Sequence, residues 1–164
     1  MASAEPFDRA LRRRRHARAA AGFAAADFLH AVMVDEIAGR VAGVARDFAD
    51  VLDLGGPRRA WPGAVRVALA PGDADVVADE DRLPFADASF DLVVSAAGLA
   101  SVSDLPGALV QVRRVLRPDG LFAAAFVGGM TLMEVRADLI DVVIQNRLQL
   151  RCREAAARQP GGQR

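Results

Sequence analysis

The chain has 164 residues, 52% of them apolar, and its 21 Asp and Glu balance 21 basic side chains, all of them Arg, to a formal charge of zero. That is the composition of one globular domain, and it excludes a disordered or fibrous protein and a surface built as a whole to attract nucleic acid or an anionic membrane. The single cysteine, Cys152, implies a reducing compartment, and the longest apolar stretch, Leu121 to Met130, is far below the roughly 20 residues of a membrane-spanning helix.

From Pro6 to about Ala21 the sequence is Arg- and Ala-rich with few helix breakers, and a helix is expected. Six arginines (Arg9, Arg12, Arg13, Arg14, Arg15, Arg18) stand there against Glu5 and Asp8. With no aromatic residues interleaved to stack on bases, this helix is expected to be a solvated face or a docking surface and not a nucleic-acid grip. Past Asp27, a candidate N-cap, Phe28, Leu29, Val32, Val34, Ile37, Val41 and Val44 keep near-helical spacing and predict a second helix. Asp50 to Gly56 is a β-branched and Leu-rich run closed by glycines, which reads as a buried parallel strand entering a tight turn. Val65–Leu69, Asp75–Ala78 and Phe90–Ser95 are three further strands bounded by turn residues.

Ser103 or Asp104 caps a helix with apolar positions Leu105, Ala108, Leu109, Val112, Val115 and Leu116, stopped by a Pro118-Asp119-Gly120 turn. Leu121 to Val127 is expected as a fifth strand. Thr131-Leu132-Met133-Glu134 has capping-box form and opens a long helix to about Ala157, before a Gly/Pro tail from Pro160. The division that follows is a helical segment over 1–46, an α/β domain over 47–157 and a disordered tail over 158–164. Trp61, between Pro and Arg residues, is expected to anchor a loop against the sheet. His16 and His30 are isolated, so no metal-ligand cluster is visible.

Strands that are apolar throughout, alternating in part with helices, indicate an α/β fold: a mostly parallel sheet covered on both faces. In such sheets ligands bind beyond the carboxyl ends of the strands. Four segments end there: Asp53-Leu54-Gly55-Gly56, Asp79 to Phe85, Ser95 to Leu99, and Gly128-Gly129.

Taken in order, Val51-Leu52-Asp53-Leu54-Gly55, Ala78 to Phe85, Ser89 to Ser95 and Leu116 to Leu121 resemble the motif series of class I S-adenosylmethionine-dependent methyltransferases, of the type 11 kind. Phe7-Asp8-Arg9 with its Arg run, and Asp104 to Leu109, resemble more narrowly the complex I assembly factor 5 group, which is related to the biotin-pathway methyltransferase acting on malonyl-acyl carrier protein. The resemblance covers roughly Phe7 to Ile140. It implies a Rossmann-like three-layer sandwich with strand order 3-2-1-4-5 and S-adenosylmethionine as cofactor. It also implies cofactor-binding residues: Asp53, Gly55 and Gly56, the two glycines lying against the methionine part, Asp79 accepting from the adenine amino group, Glu80 contributing its backbone, and Ser95 near the ribose or sulfonium.

The chain departs from that pattern in several places. About ten residues separate the first two strands, fewer than the dozen or more of a helical crossover, so that helix is expected to be missing or reduced to a turn. Ala70-Pro71 stands where the family has an acidic residue for the ribose and Ala100-Ser101 where it often has His-Trp, and the last two strands of the family sheet are expected to be missing. The expected function is therefore a shortened methyltransferase that binds its cofactor weakly and acts on a small-molecule, acyl-carrier or protein acceptor. The alternatives are an assembly factor of the arginine-hydroxylase kind, or a non-catalytic binding protein descended from such an enzyme. The expected location is the cytoplasm, or the mitochondrial matrix in a eukaryote. With its neighbours missing, the fifth strand is expected to be an open edge that favours a homodimer unless the C-terminal helix crosses it.

Overall fold

In the computed structural model, which describes residues 5–128, the short apolar runs form one parallel sheet. Its strands are β1 (Val51–Leu54), β2 (Val65–Ala68), β3 (Val76–Val77), β4 (Phe90–Ala96) and β5 (Leu116–Ala125), in the order β3-β2-β1-β4-β5. Their side chains alternate between two cores. Leu52, Leu54, Val67 and Val93 face one side, where Leu83, Leu99 and the buried stripe Ala108, Val112 and Val115 of helix α3 (Leu105–Val115) cover them. Val51, Leu92, Val94 and Ala96 face the other, against Met33, Ile37 and Val41 of helix α2 (Phe28–Ala42), with Ala60, Ala64 and Trp61 from the loop after β1. Each fully buried aliphatic side chain contributes about 1.5–3 kcal/mol, so this two-sided burial fixes the three layers.

Helix α1 (Arg9–Ala20) opens on Asp8, whose carboxylate accepts from the Leu11 amide at 2.9 Å. Asp27 stands at the N-cap position of α2 but makes no capping bond; its carboxylate is drawn off by Arg58. Connections are short: 55–64 joins β1 to β2, 69–75 joins β2 to β3 and 78–89 joins β3 to β4, none of them through an α-helix. Among the described residues α3 is the one helical crossover. The ten-residue spacing between β1 and β2 is thus spent wholly on a turn.

One expected element is placed differently. Leu116 is already paired with Phe90, and after a register shift Leu121 pairs with Leu92, so the Pro118-Asp119-Gly120 turn sits inside β5 as a bulge and not ahead of it. Proline has no N–H to give a ladder, and bulges accommodate it. Arg117 in this bulge donates to the Asp50 carboxylate at 2.7 Å, which ties the bulge to the start of β1. β5 lies at one edge of the described sheet. Thr131 to Glu134, the helix expected to about Ala157 and the tail lie outside the described residues.

At the start of α3 the Asp104 carboxylate accepts from the Gly107 amide at 2.8 Å. Asp104→Ala should lower the unfolding free energy by about 1 kcal/mol, the usual loss for an N-cap, whereas Asp104→Asn should retain most of it. Urea titration of the three proteins checks this.

Candidate functional site

β1 delivers its chain into Gly55 and Gly56, whose φ values of +68° and +82° belong to glycine. A Cβ on Gly56 would overlap the Ala96 carbonyl oxygen, and one on Gly98 would lie 2.6 Å from the Leu54 carbonyl oxygen. The turns after β1 and β4 therefore pass backbone against backbone. Ser95, fully buried, donates from its hydroxyl to the same Leu54 oxygen at 2.8 Å and straps β4 to β1. Gly55, Gly56 and Ser95 are thus brought together, with the Glu80 carboxylate 3.0 Å from where a Gly55 Cβ would stand.

Below this turn lies Arg66, 1% exposed, in parallel register with Asp53. Its guanidinium donates to the carbonyl oxygens of Arg58 (2.8 Å), Gly55 (3.2 Å) and Gly56 (3.2 Å), to Asp73 at 3.0 Å and to Asp53 at 3.4 Å. Asp53 Oδ2 also accepts from the Ala60 and Trp61 amides at 2.6 and 3.4 Å. Burial pushes the Asp53 carboxyl above its ordinary range, opposed by these amides and by Arg66. Asp53 is therefore placed inside the protein beneath the turn, where with Arg66 it holds the segment that replaces a crossover helix.

The acidic turn after β3 meets α1. Arg9 donates to both oxygens of Asp81 at 2.7 and 2.5 Å, and Arg12 to both oxygens of Glu80 at 3.2 and 2.9 Å and to the Ser101 hydroxyl at 3.1 Å. Arg13 donates to Asp79 Oδ2 at 2.6 Å. So three of the arginines expected on a solvated or docking face are spent on the chain's own carboxylates. Their spacing at i, i+3 and i+4 on one helix face, opposite three consecutive acids, was the available signal. Arg9 pulls the Asp81 carboxyl below its ordinary range, while burial pushes Glu80 upward against Arg12. Asp79 keeps one buried oxygen, Oδ1, with no partner.

Between α1 and the ends of β1 and β2 is a cavity of about 290 Å³, bounded by Gly56, Pro57, Ala68 to Asp73, His16 and Ala20. Asp79 does not line this cavity, but its unpaired buried oxygen at the same end of the sheet is an acceptor that suits the amino group of an adenine. Among the described residues no group of three His, Cys, Asp or Glu could hold a metal, and no helix is long and apolar enough to cross a membrane.

A family model described as a methyltransferase domain matches residues 60–124, which run from the loop after β1 into β5. The chain is 36% identical over 155 residues to the mitochondrial arginine-hydroxylase NDUFAF5 of Danio rerio, covering 81% of this chain and 48% of that protein. The human protein of the same name is 53% identical over 64 residues, 39% of this chain and 19% of its own. The malonyl-[acyl-carrier protein] O-methyltransferase of Geobacter sulfurreducens is 46% identical over 61 residues, 37% of this chain and 23% of its own. The chain thus spans about half the length of the Danio rerio relative or less of the others.

Two outcomes are expected. Gly56 and Gly63 both have positive φ, but an added Cβ is blocked at Gly56 and meets nothing within 4 Å at Gly63. Gly56→Ala should therefore cost more than Gly63→Ala, whose penalty is the backbone strain alone, about 1–3 kcal/mol; denaturant unfolding compares them. The second concerns the Arg9–Asp81 pair. Because the folded Asp81 pKa is depressed, its contribution is present above the ordinary Asp value near pH 4 and is lost as pH falls below it. Glu80, raised by burial, has the opposite sign and does not add to that acid loss. The α1 amide resonances should shift toward random-coil positions below about pH 4, and Asp81→Asn should displace them already at pH 7.

Proposed function

We propose that the chain is a class I S-adenosylmethionine-dependent methyltransferase that binds the cofactor at the carboxyl ends of β1 and β2 and transfers its methyl group. The observation that carries this reading is the buried, unpartnered Asp79 oxygen at the same end of the sheet as the Gly55-Gly56 turn and the cavity beside it. Gly55 and Gly56 would let the backbone approach the methionine part. Asp79 Oδ1 would accept from the adenine amino group while Arg13 holds the other oxygen. Glu80, both of whose oxygens are on Arg12, would contribute backbone; Asp53 and Ser95, both buried, would support the turn from within.

When bound, the cofactor supplies an activated methyl group, and positioning provides most of the rate in such a transfer, so no dedicated acid or base is assigned. The acceptor would be a small molecule, an acyl carrier or a protein. A second reading, an arginine-directed activity like that named for the Danio rerio relative, is favoured by the length of that match, 155 residues against 61 for the acyl-carrier methyltransferase. A reducing compartment, the cytoplasm or a mitochondrial matrix, fits the single cysteine.

Calorimetry tests the cofactor reading. The protein should bind S-adenosylmethionine weakly, and Asp79→Ala should weaken it by a further 1–3 kcal/mol or so, the cost of losing a buried acceptor. No heat of binding at millimolar cofactor would leave a non-catalytic role. Tight binding unaffected by Asp79→Ala would move the adenine elsewhere.

A further inference from the structure

The end of β2 offers no side chain to a hydroxylated ligand, since it continues as Leu69-Ala70-Pro71. Yet the 290 Å³ cavity opens there, at the lower end of the size of small-molecule sites, about 300–1,000 Å³. With one exception its polar side chains all have partners within the protein, though Asp73 is half-exposed and has acceptor capacity left. Arg66 serves the turn carbonyls and two carboxylates; Arg58 is paired with Asp27; and Asp73 accepts from Arg66 and from the Arg59 amide. His16 is the exception: among the described residues its half-buried imidazole has no hydrogen-bond partner, and it borders the cavity.

Its place is set by the clamp. His16 follows Arg12 by four residues and Arg13 by three, one turn along the face that the acidic turn holds. Burial lowers its basicity, and Arg12 and Arg66 act in the same direction, so at neutral pH the ring is uncharged, with one donor and one acceptor nitrogen. A vicinal diol, which can both donate and accept, matches that ring. In nucleotide-binding α/β sheets the ribose hydroxyls are held near the end of the second strand.

We infer that His16, reaching in from α1, is the residue that recognises the ribose hydroxyls of an adenosine-based ligand in this cavity, in place of a side chain from the end of β2. The inference rests on the cofactor reading above and adds a specificity-determining residue to it. His16 acts from a different element than the sheet, so ribose recognition depends on α1 being docked. Because His16 has no hydrogen bond to lose within the protein, its replacement should leave the fold intact.

The test is calorimetry on the full chain with S-adenosylhomocysteine, adenosine and 2′-deoxyadenosine, together with a thermal unfolding midpoint for each variant. The wild type should prefer adenosine to 2′-deoxyadenosine by roughly three- to tenfold, the effect of one net hydrogen bond. His16→Ala should erase that preference and weaken S-adenosylhomocysteine by a similar factor at an unchanged midpoint. His16→Gln, which keeps a donor and an acceptor, should recover part of both. If His16→Ala keeps the preference for adenosine, the inference is overturned while the cofactor reading stands. If the wild type binds none of the three ligands at millimolar concentration, both fall.

Discussion

A guanidinium buried under a turn is the constraint on which the rest of this structure depends. In a parallel sheet the chain leaving one strand usually enters a helix, whose hydrogen bonds consume the backbone groups and whose apolar face covers the sheet. Between β1 and β2 there is room only for a turn, and the carbonyls of Gly55, Gly56 and Arg58 point inward. Arg66 supplies the donors they would otherwise lack. Removing it would leave Asp53 as an uncompensated buried charge, a change that in buried pairs costs about 3–5 kcal/mol. Lysine would not substitute, because three donors on a point charge cannot span carbonyls and carboxylates on several sides as a planar fork does.

The second constraint is the clamp between α1 and the acidic turn. Three carboxylates in sequence at the end of a parallel sheet would repel one another and any anionic ligand. Here Asp79, Glu80 and Asp81 are each met by an arginine of α1. That neutralisation does two things for the site: it closes one wall of the cavity with a helix, and it leaves a single acceptor, Asp79 Oδ1, unspent. The clamp therefore couples the charge state of the turn to the shape of the cavity.

Local runs carried most of the architecture into view from sequence. The strands after Asp50, Val65, Asp75 and Phe90, the Asp104 cap and the shortened first connection are all set by residues close in the chain, and the sheet order follows the motif series. What escaped depends on distant partners. Arg9, Arg12 and Arg13 meet acids 66 to 72 residues away, so a solvated or docking face was the natural reading. Arg66 inverts the usual alternation: in Val65-Arg66-Val67-Ala68 the arginine is buried and Val65 is 37% exposed, because the Gly55 turn needs donors on that face. Leu116 looked like the last turn of α3, and only its pairing with Phe90 shows the strand starting there. Asp53 and Ser95 were legible as important but not as internal supports, since a strand-end residue can point toward the ligand or away from it.

A cofactor site at the ends of β1 and β2, held by Arg66 from below and by α1 from the side, is tested most directly by mapping amide shifts of the labelled protein as S-adenosylhomocysteine is added. Shifts should gather at Gly55 to Arg58, Ala68 to Gly72, Asp79 to Asp81 and around His16. Perturbations confined to α2 and β5, or none at millimolar ligand, would contradict it.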